Sequence, residues 1–161
     1  MVAAARLRRA QMRLVAARPY AIQMAELLGR TAALVENPPP ALRGKKPPLA
    51  AEFMILTSDR GLCGGFNGNL LRKIEEFLKQ TKFEQVRVTV YGKKGRDFFR
   101  ARRREVAETK GGLNETFRFE GALQIAETLL KDYEEEKFDE FYLVYNRFRS
   151  AISQEVQIER L

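Results

Sequence analysis

The chain has 161 residues, 45% of them apolar and 10% aromatic, and a net charge of +8, enough for one ordinary domain with a packed core plus an appendage. It contains no histidine, which excludes Ser-His-Asp and Cys-His nucleophile pairs and leaves any zinc site one cysteine and carboxylates only. The single cysteine, Cys63, cannot form an internal disulfide, and no apolar run reaches the roughly 20 residues that span a bilayer.

The first segment is cationic. Residues 1–50 carry nine Lys/Arg against two Asp/Glu, whereas residues 51–161 are almost balanced, with twenty against nineteen. This asymmetry predicts a basic arm and a nearly neutral domain. The arm reads as one helix from Met1 to about Glu36, stopped by Asn37-Pro38-Pro39-Pro40. Along it Leu7, Ala10, Leu14, Ala17, Ala21, Met24, Leu28, Thr31 and Val35 alternate steps of three and four, the seam of a coiled coil. Alanines in the seam let a partner helix approach closely. Such a rod is about 54 Å long at 1.5 Å per residue, too long for a small neighbouring domain to cover. Pro19 is expected to kink the rod near Arg18, with a break into two helices as the alternative.

A Pro-rich linker is read over residues 38–50 and an α/β domain over residues 51–161. In the domain Ala51 to Thr57 reads as an apolar strand. Asn69 to Gln80 follows as a helix burying Leu70, Leu71, Ile74, Phe77 and Leu78, and Gln85 to Tyr91 as a β-branched strand. Lys94 to Arg102 is expected to be a short helix and Arg104 to Glu108 a short strand. Glu120 to Glu135 is expected to be a helix burying Ala122, Leu123, Ile125, Ala126, Leu129 and Leu130. Phe138 to Asn146 reads as a further strand, and Ser153 to Leu161 as an edge strand returning antiparallel after Phe148-Arg149-Ser150-Ala151. The predicted architecture is a three-layer α/β fold: a mostly parallel, Rossmann-like sheet with helices on both faces, preceded by the long coiled-coil helix.

Ser58-Asp59-Arg60-Gly61-Leu62-Cys63-Gly64-Gly65-Phe66-Asn67 links the first strand to the first domain helix, where phosphate sites are commonly found. The glycine spacing fits neither a dinucleotide fingerprint nor a P-loop. Glycines also serve a tight turn with no ligand bound, and Cys63 has no base partner. Two further readings stay open from the residues alone: a Rossmann-like nucleotide-binding enzyme, and a basic nucleic-acid-binding module using Arg100, Arg102, Arg103 and Arg104. The blander reading of that run is a solvated helix end, and of Glu134-Glu135-Glu136 a solvated surface.

The decapeptide resembles the signature loop of the gamma subunit of the rotary, F-type ATP synthase. Further matches follow in order along the chain: Met1 to Ala10, Ala17-Arg18-Pro19-Tyr20, Tyr91-Gly92-Lys93-Lys94-Gly95 and Tyr145-Asn146-Arg147-Phe148. The resemblance implies a non-catalytic central-stalk subunit, an axle turning inside the ring of alpha and beta subunits and joined to the epsilon subunit and the membrane c-ring. It would have no cofactor, metal or nucleic acid of its own and would lie at the cytoplasmic face of a bacterial inner membrane. It also implies a fragment lacking the first ~20 residues and the carboxy-terminal helix that completes the coiled coil. By motif position Arg9, Arg60, Arg72 and Lys73, with Cys63 beside them, would face acidic loops of the beta subunits through contacts worth about 0–1 kcal/mol each.

Overall fold

In the computed structural model the described residues are 2–36, 47–104, 106, 108–110, 119–150 and 152–161. The chain divides into two compact units, Met1–Arg43 and Gly44–Leu161. Most of the expected linker, residues 38–46, lies outside the described residues.

The first unit contains helix α1, Val2–Leu34, which runs through Pro19 without a break. Two helices were the alternative, and the helix is continuous. It ends two residues earlier than the sequence suggests. Its long apolar side chains are exposed: Leu7, Leu14, Met24 and Leu28 range from 37% to 52%, and Ala10, Ala17 and Ala21 are exposed as well.

In the second unit the elements are β1 (Ala50–Leu56), α2 (Phe66–Gln80), β2 (Gln85–Tyr91), α3 (Lys93–Ala101), β3 (Glu108–Lys110), α4 (Phe119–Glu134), β4 (Glu140–Ser150) and β5 (Ser153–Arg160). Among the described residues they form one five-stranded sheet in the order β3-β2-β1-β4-β5. β1 pairs in parallel with β2 and β4, β2 in parallel with β3, and β5 closes the sheet antiparallel to β4. The topology reverses between β1 and β4, the position beside which open α/β sheets place their ligands.

Alternation along β1 divides the core. Ala51, Phe53 and Ile55 pack with Val88, Val90 and Val144 against Leu70, Leu71, Ile74 and Leu78 of α2 and Phe99 of α3. Met54 packs with Tyr91, Phe138 and Phe141, and Ile125, Leu129 and Tyr133 of α4 join that cluster. Each fully buried large side chain contributes about 1.5–3 kcal/mol relative to exposure, so these two clusters hold the sheet.

Three expectations are corrected. In α4 only Ile125 and Leu129 of the six residues expected to be buried are drawn inward. Leu123 and Leu130 are 48% and 53% exposed, and Ala122 and Ala126 are exposed too, because the sheet covers one side of a helix whose apolar arc is wider than that side. The third strand is Glu108–Lys110 rather than Arg104 to Glu108, of which residues 105 and 107 lie outside the described residues. β4 begins at Glu140 rather than Phe138. Phe138 is a buried anchor, and the Asp139 carboxylate accepts the backbone N–H groups of Leu49 and Ala50 at 2.8 and 2.9 Å.

Candidate functional site

Thr57 directly follows β1 and is 3% exposed. Its hydroxyl donates to the Tyr91 carbonyl at 2.9 Å and accepts the Gly95 N–H at 3.0 Å, linking β1, β2 and α3 through one oxygen. That contact dictates the glycines of Tyr91-Gly92-Lys93-Lys94-Gly95. Gly92 has φ +101°, and a Cβ there would lie 2.2 Å from the Thr57 carbonyl oxygen. A Cβ at Gly95 would lie 2.6 Å from Val90 Cγ1.

The loop that follows is closed by its own side chains. Asn67, in the first turn of α2, accepts the Ser58 N–H at 3.0 Å through Oδ1. Its amide nitrogen donates to Ser58 Oγ at 2.8 Å and to Cys63 Sγ at 3.1 Å. Ser58 Oγ donates to the Arg60 carbonyl at 2.6 Å. Asp59 accepts the N–H of Lys93 at 2.9 Å, capping the first turn of α3 from across the sheet edge. Asn146 of β4 donates to the Phe66 carbonyl at 3.0 Å and fixes the start of α2. The polar residues of the loop are thereby engaged in shaping the corner itself.

The corner presents cations. Arg60 is exposed, and Cys63 beside it is an exposed free thiol. One turn into α2, Arg72 donates to Asn69 Oδ1 at 2.6 Å, and Lys73 Nζ donates to the Val156 carbonyl of β5 at 3.0 Å. Lys73 is therefore tied to its own sheet edge. Arg9 belongs to the other unit. Lys94 is a member that sequence reading missed: its Nζ lies 3.4 Å from where a Cβ of Gly61 would sit, placing a further cation against the loop. The signal was present in Tyr91-Gly92-Lys93-Lys94-Gly95, where Lys94 reads from sequence only as the start of a short helix. At the apex Leu62 has φ +60° and is fully exposed.

The arginine run lies away from this corner. Arg102 bonds Glu75 at 3.0 Å and stacks at 3.6 Å over the Phe98 ring, beside an open cavity of about 330 Å³ lined by Glu75, Phe99, Arg102 and Arg104. Of the run, Arg102 thus already has an acidic partner and a ring against its guanidinium. Among the described residues no cluster of acidic or sulfur side chains has metal-holding geometry, and no helix is long and apolar enough to cross a membrane.

A family model described as ATP synthase matches residues 1–161. The chain is 41% identical to the ATP synthase gamma chain of Geobacter sp. (strain M21), covering all of this chain and 56% of that protein. It is 42% identical to that of Desulfitobacterium hafniense (strain DSM 10664 / DCB-2) over 96% of this chain and 54% of the relative. The chain thus spans little more than half the length of these relatives. Among solved structures its fold is similar to a chain of the Tetrahymena thermophila mitochondrial ATP synthase central stalk and c-ring, with TM-score 0.61 and 24% identity over 73% of this chain and 51% of that one. A chain of the Euglena gracilis mitochondrial ATP synthase rotor gives TM-score 0.55 and 20% identity over 88% of this chain and 55% of that one.

Proposed function

The chain belongs to the ATP synthase gamma-chain family, and we propose that it is part of a central-stalk subunit that transmits rotation between the membrane ring and the catalytic ring. On this reading it is non-catalytic, and ATP is made or hydrolysed on the beta subunits. The observation that carries the proposal is a 33-residue helix whose large apolar side chains, Leu7, Leu14, Met24 and Leu28 among them, are exposed, in a chain matched to that family from end to end. A stripe of this length exposed to water needs a second rod. The relatives are longer than this chain, and the additional length supplies the sequence for one.

The remaining readings follow from this one. The coiled coil is α1 wound against a helix from the rest of such a subunit. The domain is a three-layer foot, with helices on both sides of the sheet, reached through the linker at residues 38–50. Arg9, Arg60, Arg72 and Lys73, with Cys63 beside them, face acidic loops of the beta subunits. The epsilon subunit and the c-ring are the further partners, and the complex holds the chain peripherally at the cytoplasmic face of a bacterial inner membrane. Wet charge pairs of about 0–1 kcal/mol each suit contacts remade at every step. A nucleotide-binding enzyme and a nucleic-acid module are not favoured, since family, loop closure and the engaged Arg102 all point elsewhere.

The test is a chimera in which this chain is continued by the remaining segment of the Geobacter relative and combined with alpha and beta subunits. Assembly with rotation-coupled ATP hydrolysis is expected. A chimera that folds but fails to assemble would overturn the proposal.

A further inference from the structure

The apolar arc of helix α4 is wider than the part the domain covers. Ile125, Leu129 and Tyr133 pack into the core, whereas Leu123 and Leu130 are 48% and 53% exposed. Leu123, Ala126 and Leu130 follow steps of three and four, the same pattern as a coiled-coil seam. Glu120, Glu127 and Glu134 recur at intervals of seven, each in the flanking position three residues before or four after a seam leucine. All three are exposed. The only basic residue of the helix, Lys131, pairs with Glu135 at 3.7 Å. In a chain of net charge +8 this face is a local exception, a leucine stripe bordered by a row of carboxylates.

We propose that the outer face of α4 docks a basic amphipathic helix from another polypeptide, with leucine-like side chains at three-and-four spacing and Lys or Arg along the border facing the glutamates. Charge complementarity selects this occupant. Antiparallel pairing of α4 with α4 of a second copy would set one glutamate row against another, and like charges at such spacing repel. A lysine-bordered partner instead meets each carboxylate with a cation. The small Ala126 between the two leucines lets the partner backbone approach, and the apolar stripe supplies affinity while the charged border supplies partner choice. This inference uses neither α1 nor the loop after β1.

The test titrates the full 161-residue chain against a labelled helical peptide of repeated heptads, with Leu and Ala on the seam and Lys on both borders, followed by fluorescence anisotropy. Saturable binding is expected, weakening as salt rises. The double variant L123D/L130D should lose affinity by at least about tenfold with an unchanged thermal melt, since both positions are exposed. The triple variant E120K/E127K/E134K should lose the Lys-bordered peptide and take up a Glu-bordered one. Absence of saturable binding, or equal binding by L123D/L130D, would overturn the proposal. Self-association of the chain that L123D/L130D abolishes would also overturn it, by making a second copy the occupant.

Discussion

The Thr89 hydroxyl donates a 2.9 Å hydrogen bond to Glu52 Oε1, placing a carboxylate 3% exposed beside a central strand pair. Glu52 Oε2 lies 3.8 Å from Arg87 Nε, and Arg87 continues to Asp132 of α4 at 3.6 Å. A buried carboxylate is tolerated only where donors reach it. Thr89→Val removes one donor at nearly constant volume and is expected to destabilise the domain by about 1–3 kcal/mol. Urea unfolding checks this: the midpoint should fall with the slope unchanged.

Backbone conformation separates two glycines of the corner. Gly92 sits at φ +101° with the Thr57 carbonyl 2.2 Å from a would-be Cβ, whereas Gly64 sits at φ +57° facing open space. Gly92→Ala is expected to cost about 3 kcal/mol or more, through clash and strain together. Gly64→Ala should cost about 1–2 kcal/mol from the left-handed backbone alone. Comparing the two melting temperatures distinguishes clash from conformational cost.

Alkaline stability should depend on Tyr142. Burial, then its hydrogen bond to Glu140, pushes its hydroxyl up to about 12 from 10. A group whose folded pKa is raised holds its proton more tightly in the native state. Its contribution is complete below pH 10 and is lost as pH rises from 10 toward 12. Tyr142→Phe should therefore flatten the fall of stability across that window, measured as urea midpoints at stepped pH. An unchanged slope would assign the fall to other groups.

Within the chimeric subunit, Leu14→Asp tests the rod. Losing the burial of one seam leucine removes about 1.5–3 kcal/mol, and a buried charge adds to that loss. The yield of complex with alpha and beta subunits should drop by about tenfold or more, while the melting of the α/β domain stays unchanged.

Much of the fold was legible because strand and helix periods differ. β1, β2 and α2 are buried where alternation and three-and-four spacing place them. The errors share a cause. Periodicity reports that Leu123, Ile125, Leu129 and Leu130 all belong to an apolar arc, but only the packed sheet decides which part of the arc is covered. The short β3 is defined by its neighbour β2 rather than by its own residues. Glu52 reads as an interruption in an apolar strand, since Thr89 and Arg87 reach it only after the chain has folded. In the loop, Ser58, Asp59 and Asn67 belong to a signature that does not itself reveal what each side chain does. The Ser58–Asn67 and Asp59–Lys93 bonds span 9 and 34 residues, distances at which sequence spacing carries no geometry. The cations Arg60, Arg72 and Lys73 were legible as residues, but the tether of Lys73 to Val156 was not.

The single oxygen that Thr57 shares between Tyr91 and Gly95 has a mechanical consequence. Two strand ends and a helix start are riveted at one point, with glycine admitting no slack beneath it, so a push on the exposed corner cannot be absorbed by bending the turn. Close-packed interiors carry strain onward. A load applied at Arg60 or Leu62 would pass into the whole sheet as into a stiff bracket.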